Sequence, residues 1–233
     1  MDLTQTLRTT RRSQRSARRR QALVAITAIV IASGGLAAQT ASAAPPPTPL
    51  AIVGDPQSPE VARLATIALG AKELFDRTQV EADGREFELA LTDLAAATAH
   101  ELGASRIGVL HAWQRADSTH LSAVLTALTQ LGVEYRSNSS EAFVGFDCSG
   151  LTSYAWREAG LEIPRQSGSQ ISEAAERTPE TAMAGDLVQY PGHVMMYLGV
   201  HNAVVHSSNP ENDVELWVIG NRSVSYGDPT AAD

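Results

Sequence analysis

Phe146-Asp147-Cys148-Ser149-Gly150-Leu151 is the stretch on which the reading of this chain turns, because it holds the only cysteine of 233 residues and opens a helical run. Leu151, Tyr154 and Ala155 fall at i, i+3 and i+4, and Gly160 followed by Pro164 supplies a stop, so the spacing predicts a helix that begins at Cys148. A thiolate is stabilised at such a start by free N–H groups and the positive end of the helix dipole. Asp147 is placed to cap the first turn or orient a substrate, and Gly150 leaves room for close backbone approach. The plainer alternative for Cys148 is a buried structural thiol.

Working outward, the chain starts with seven arginines between Arg8 and Arg20, an apolar run from Ala22 to Ala32, and Ala41-Ser42-Ala43. Basic head, short apolar body and small-residue cleavage site predict a secretory signal peptide over residues 1–43, with an uncleaved membrane anchor as the alternative. Ala44-Pro45-Pro46-Pro47-Thr48-Pro49 opens a Pro-rich linker over 44–57. Removal of residues 1–43 would leave 11 basic against 25 acidic residues, a net charge of −14. Such a surface excludes a phosphate backbone as partner and is repelled by anionic membranes, while a cationic or amphoteric ligand stays open. An exported chain with one unpaired cysteine points to chemistry rather than a disulfide framework. The expected location is secreted, outside the cytoplasm.

Residues 58–117 predict a helical hairpin region, with Val61, Leu64, Ala68, Ala71 and Phe75 on one face, then a turn at Ala82-Asp83-Gly84. Phe87, Leu91, Leu94, Ala95 and Leu102 line a second helix, and Ile107, Leu110 and Trp113 extend it or form a third. The hairpin is expected to dock on the rest of the chain or bind a partner. His100, His111 and His120 read as ordinary surface or interface histidines. Ser118 opens a helix that starts a catalytic domain over 118–224, and residues 225–233 read as a C-terminal tail. Beyond Gly160 come a polar loop, a short helical stretch to Arg177, and four antiparallel strands near 185–190, 193–199, 203–208 and 214–218. The fold class is therefore α+β, helices packed on a small antiparallel sheet.

The motifs Phe146-Asp147-Cys148-Ser149-Gly150-Leu151, Gly185-Asp186-Leu187-Val188, His193-Val194, Tyr197-Leu198-Gly199 and Val205-His206 resemble, in order and spacing, the NlpC/p60 family of papain-like cysteine peptidases. The resemblance implies a papain-like domain acting on peptidoglycan stem peptides between D-glutamate and a diamino acid, without a cofactor. It implies Cys148 as nucleophile, His193 as base and then acid, and His206 as the group that orients the first imidazole. Tyr135, Asp147, Ser149 and Arg165 match positions near the substrate or oxyanion, and an exposed loop cation is the alternative for Arg165. Where the family has an aromatic and paired glycines after the tyrosine, this chain has Arg136-Ser137-Asn138, and the separation from His193 to His206 is 13 residues, one longer than usual in the family, which calls for a bulge or longer turn. Two other readings are a zinc site of Cys148, His193, His206 and Asp147, and a non-catalytic wall-binding or scaffold protein that keeps the fold.

Overall fold

Among the described residues four helices precede the cysteine, and each boundary has a local cause. The computed structural model describes residues 58–231; the expected signal peptide and the whole of the Pro-rich linker lie outside the described residues. Helix α1 (Pro59–Thr78) starts on a proline, which needs no N–H at that position, and ends at Gln79 in the left-handed region. Helix α2 (Glu81–Leu102) begins before Gly84, so the break falls at Gln79-Val80 rather than at the expected 82–84 turn. Gly84 lies inside the helix, where a Cβ would come within 3.0 Å of the Phe75 ring. Helix α3 (Arg106–Arg115) is a separate short helix capped by the Ser105 hydroxyl, and α4 (Ser118–Leu128) is capped by the Asp117 carboxylate, which accepts from Thr119 and His120 N–H.

The predicted apolar faces meet in one core. Val61, Ala65 and Ala68 of α1 and Leu91, Leu94 and Leu102 of α2 bury with Leu125 and Leu128 of α4, and the same cluster runs on to Leu151, Val194, Val205 and Leu216. Buried Trp113 Nε1 donates to the Leu198 carbonyl at 3.1 Å, tying α3 to the sheet. Lys72, also buried, is held by Asp76 at 2.6 Å and Ser118 at 2.7 Å. Among the described residues no helix is long and apolar enough to cross a membrane.

Next come β1 (Ser140–Glu141) and β2 (Gly145–Phe146), a two-stranded ribbon leading into α5 (Cys148–Glu158). Helix α6 (Ser167–Glu173) follows, then β3 (Ala175–Arg177), β4 (Leu187–Tyr190), β5 (His193–Tyr197), β6 (Ala203–Ser207), β7 (Val214–Val218) and β8 (Ser225–Asp228). The large sheet is antiparallel with order β3-β8-β4-β5-β6-β7, and α5 packs on β5 and β6. Two expectations are corrected here. Ala175–Arg177 is a strand rather than the end of a helical stretch, and Ser225–Asp228 is no tail but a strand inserted between β3 and β4. Both strands are short, and β8, with Ser225, Gly227 and Asp228, carries no apolar alternation, so period-2 hydrophobicity does not reveal it. The result is an α+β fold of the papain-like type.

Candidate active site

The nucleophile loop is built around Asp147. Its Oδ1 accepts the Gly150 N–H at 2.7 Å, capping α5, while Oδ2 accepts the Asn138 N–H at 2.7 Å and Arg165 Nη2 at 2.8 Å. Arg165 Nη1 also donates to Ser149 Oγ at 2.8 Å, and Nη2 to the Ser139 carbonyl at 3.2 Å. Arg165 is thus the clasp that joins its own loop to the segments on both sides of Cys148, not a free loop cation. A Cβ on Gly150 would overlap the Ser139 carbonyl oxygen, so only glycine lets that strand pass this close to the helix. Asn138 sits at φ 59°, in the left-handed region that asparagine tolerates.

Cys148 is a free, half-buried thiol at the first position of α5, where its own N–H has no intrahelical acceptor. Tyr135 bridges to Phe146 in the backbone, and burial, with Asp147 and Cys148 as neighbouring charges, pushes its phenol up. The sheet is fastened to this loop by buried Ser207, whose Oγ donates to the Phe146 carbonyl at 2.7 Å.

Strands β5 and β6 bring the two histidines together. Tyr190-Pro191-Gly192-His193 is a tight hairpin, with Gly192 at φ +86° and Tyr190 paired to His193. The next connection, between β5 and β6, turns through Gly199, His201 and Asn202, all in the left-handed region. Both rings are buried, and His193 Nε2 lies 2.8 Å from His206 Nδ1. That bond leaves His193 Nδ1 as its second, unengaged ring nitrogen. Trp217 stacks on His206 at 5.2 Å with planes 11° apart, Tyr190 lies 5.1 Å from His193, and the Arg222 guanidinium covers Tyr190 at 4.2 Å. Burial first, then His206 and Arg222, lowers the His193 pKa to about 4. Near neutrality His193 is therefore an uncharged imidazole with a lone pair to offer.

Several supporting residues were missed by sequence reasoning. Gln170, buried in α6, accepts from Thr152 Oγ1 at 2.7 Å and donates to the Ser149 carbonyl at 3.0 Å and the Pro164 carbonyl at 2.8 Å, fixing α6 and the Arg165 loop to the nucleophile helix. Glu215 and Trp217 flank His206 from β7, and their alternate spacing in a strand adjoining the histidine strand was the signal available.

His100, His111 and His201 are exposed, but His120 is not a surface histidine: it is wholly buried, with Nδ1 2.7 Å from Asp117 Oδ2 and Nε2 3.2 Å from Asp186 and 3.3 Å from Asp228. It sits on the apolar side of α4, where the carboxylates of the Gly185-Asp186 turn and of β8 offset its burial. Among the described residues His120, Asp186 and Asp228 are the one group whose ligand atoms converge as a metal site would need. Arg177 and Thr230 already occupy Asp228, and the Met183 N–H occupies Asp186, so hydrogen bonds account for the cluster. Cys148, Asp147, His193 and His206 do not form such a group.

The candidate site thus consists of a thiol at a helix start, a buried histidine pair on adjacent strands of an antiparallel sheet and a clasped carboxylate before the thiol. The model of the NlpC/P60 family matches residues 132–226, the stretch that carries these groups. It is similar to Peptidoglycan endopeptidase RipB of Mycobacterium tuberculosis, 33% identical over 162 residues that cover 63% of this chain and 66% of that one. It is also similar to Probable endopeptidase Cgl2188 of Corynebacterium glutamicum, 38% identical over 97 residues, 40% of this chain and 46% of the other. The chain thus spans just under two thirds of the first relative and less than half of the second. Among solved structures, an NlpC/P60 family protein from Bacillus cereus superposes with a TM-score of 0.43 at 27% identity, covering 47% of this chain and 39% of that one.

Proposed function

We propose that the protein is an exported cysteine endopeptidase that hydrolyses an amide bond in peptidoglycan stem peptides, of the D-glutamyl to diamino acid type. The observation that carries this reading is the buried His193–His206 pair, which leaves one His193 nitrogen unengaged, on strands packed against the helix that starts at Cys148. The match to the NlpC/P60 family model and the names of the relatives support the substrate class.

In this reading His193 Nδ1 takes the Cys148 proton as Sγ attacks the scissile carbonyl, and the Cys148 N–H, assisted by Tyr135, receives the oxyanion. The same His193 proton then passes to the leaving amine, leaving a thioester on Sγ. A water, deprotonated by His193, hydrolyses the thioester and restores the thiol. Because His193 is held neutral near pH 7, it works as a base from the start rather than as one half of a standing ion pair. Ser149 and Arg165 border this site, and the acidic surface favours entry of a stem peptide with a free amine.

The test is digestion of purified peptidoglycan fragments by the protein and by Cys148→Ala, with products weighed by mass spectrometry. Paired fragments from cleavage of the stem peptide, absent with Cys148→Ala, are expected. Binding of the fragments without cleavage by the wild type would make the protein a wall-binding scaffold instead.

A further inference from the structure

The buried Nε2 of His206 has no hydrogen-bond partner among the described residues. The carboxylate nearest to it is Glu215, whose Oε1 lies 3.5 Å away, close but beyond a full hydrogen bond. Glu215 stands directly opposite His206 in the β6–β7 ladder, so its side chain shares the histidine's face of the sheet. Its Oε1 accepts Ser208 Oγ at 3.1 Å and Asn212 Nδ2 at 3.2 Å, two bonds from the connection between these strands that hold the carboxylate toward the ring.

We propose that Glu215 is a positioning residue that selects the ring tautomer of His206 and, through it, that of His193. The consequence for catalysis rests on the peptidase reading, whereas the tautomer itself does not. A carboxylate can only accept, so it favours the His206 form with its proton on Nε2. His206 Nδ1 then carries a lone pair and accepts from His193 Nε2–H at 2.8 Å, which leaves the lone pair of His193 on Nδ1. The reverse arrangement puts a His206 lone pair against the carboxylate and a proton on His193 Nδ1, where no base is then available. As Nδ1 of His193 gains a proton, the negative charge behind His206 compensates the imidazolium.

Glu215 is ionised in this setting. Burial acts to raise its pKa, but His206, Ser208 and Asn212 together outweigh that and hold it below the ordinary carboxylate range. The other charges around the pair are Asp213, Glu134 and Arg222, the last 6.0 Å above the Trp217 ring that stacks on His206.

The test compares the full-length wild type, Glu215→Gln and Glu215→Ala by histidine ring ¹⁵N shifts, iodoacetamide alkylation of Cys148, and turnover of wall fragments. In the wild type both His193 and His206 are expected in the Nε2–H form at neutral pH. Glu215→Ala should mix the tautomers and slow alkylation and kcat by roughly tenfold or more, the scale for a partner standing behind a working histidine, with little change in KM. Glu215→Gln, whose amide oxygen still accepts, should keep the tautomers and recover most of the rate. An Nδ1–H form of His206 in the wild type, or unchanged tautomers in a folded Glu215→Ala, overturns the proposal. Ring shifts and alkylation need no substrate, so a wild type that leaves wall fragments intact would sink the peptidase reading while these two readouts still decide the role of Glu215.

Discussion

His193 and His206 share a 2.8 Å bond between Nε2 and Nδ1 although the residues are not directly opposite in the ladder: the register pairs Met196 with Val205, which sets the two histidines diagonally on one face. The diagonal offset lets the rings meet edge to face, at 72° and 5.0 Å between centroids, so His206 fixes both the rotation and the proton of His193. Replacing His206 with Ala removes both constraints. Turnover of wall fragments is expected to fall about 10²- to 10⁴-fold, with thermal stability changed far less. His206→Asn, which keeps an acceptor for Nε2–H, should lie between. Equal rates for wild type and His206→Ala would remove His206 from the mechanism.

Gly150 is where the geometry of the nucleophile loop is least forgiving. The Ser139 carbonyl that passes against it also accepts Arg165 Nη2 at 3.2 Å and the Asp147 N–H at 3.1 Å, so it cannot retreat without loosening the clasp. Gly150→Ala should cost about 1–3 kcal/mol in chemical denaturation, the range for overpacking a closed site. It should also shift Cys148 alkylation, because the cap on α5 moves with the loop. A variant as stable as the wild type would mean that the ribbon β1–β2 is free to move away.

The parts of this architecture that could be read from the sequence are those with strong periodicity or distinctive chemistry. Leu91, Leu94, Thr98 and Leu102 repeat with the helix and are buried together, and Cys148, His193 and His206 stood out by residue type and spacing. Strand β8 stayed hidden because Ser225, Tyr226, Gly227 and Asp228 earn their place by backbone pairing with β3 and β4, which leaves no alternation to find. His120 was misplaced for a related reason. Its burial depends on Asp186 and Asp228, 66 and 108 positions further on, and a local window does not contain partners at that range.

Stability should respond to acid in a window that belongs to His193. Its pKa is about 4 in the folded protein against an ordinary 6.5, so the unfolded chain binds the proton first. Stability is therefore expected to rise with pH between about 4 and 6.5 and to be lost on acidification through that window, by up to about 3 kcal/mol before partial solvent access is discounted. The lowered carboxylates Asp228 and Glu215 titrate below their own ordinary values, so they act at the acid end of the range. Urea unfolding of wild type and His193→Gln across pH 4 to 7 checks this. Parallel curves would show that His193 titrates alike in both states.

His120 should impose the opposite slope at higher pH. Burial opposes its charge, but the bond to Asp186 and the carboxylates of Asp117, Asp228 and Asp186 outweigh burial and raise its pKa above 6.5. A raised pKa contributes stability that is fully present below the unfolded value and is lost as pH rises through the folded one. The ring links the start of α4, the Gly185-Asp186 turn and β8, three segments far apart in the chain. His120→Phe keeps the edge contact with Trp156, 4.9 Å away, yet leaves Asp186 and Asp228 without their shared donor. The cost is expected to be about 3–5 kcal/mol below pH 6.5, the scale for removing one partner of a buried ion pair. It should shrink as pH rises, because neutral His120 in the wild type then holds the same carboxylates less strongly. A cost independent of pH would mean that His120 is neutral throughout and that packing, rather than charge, accounts for its place in the core.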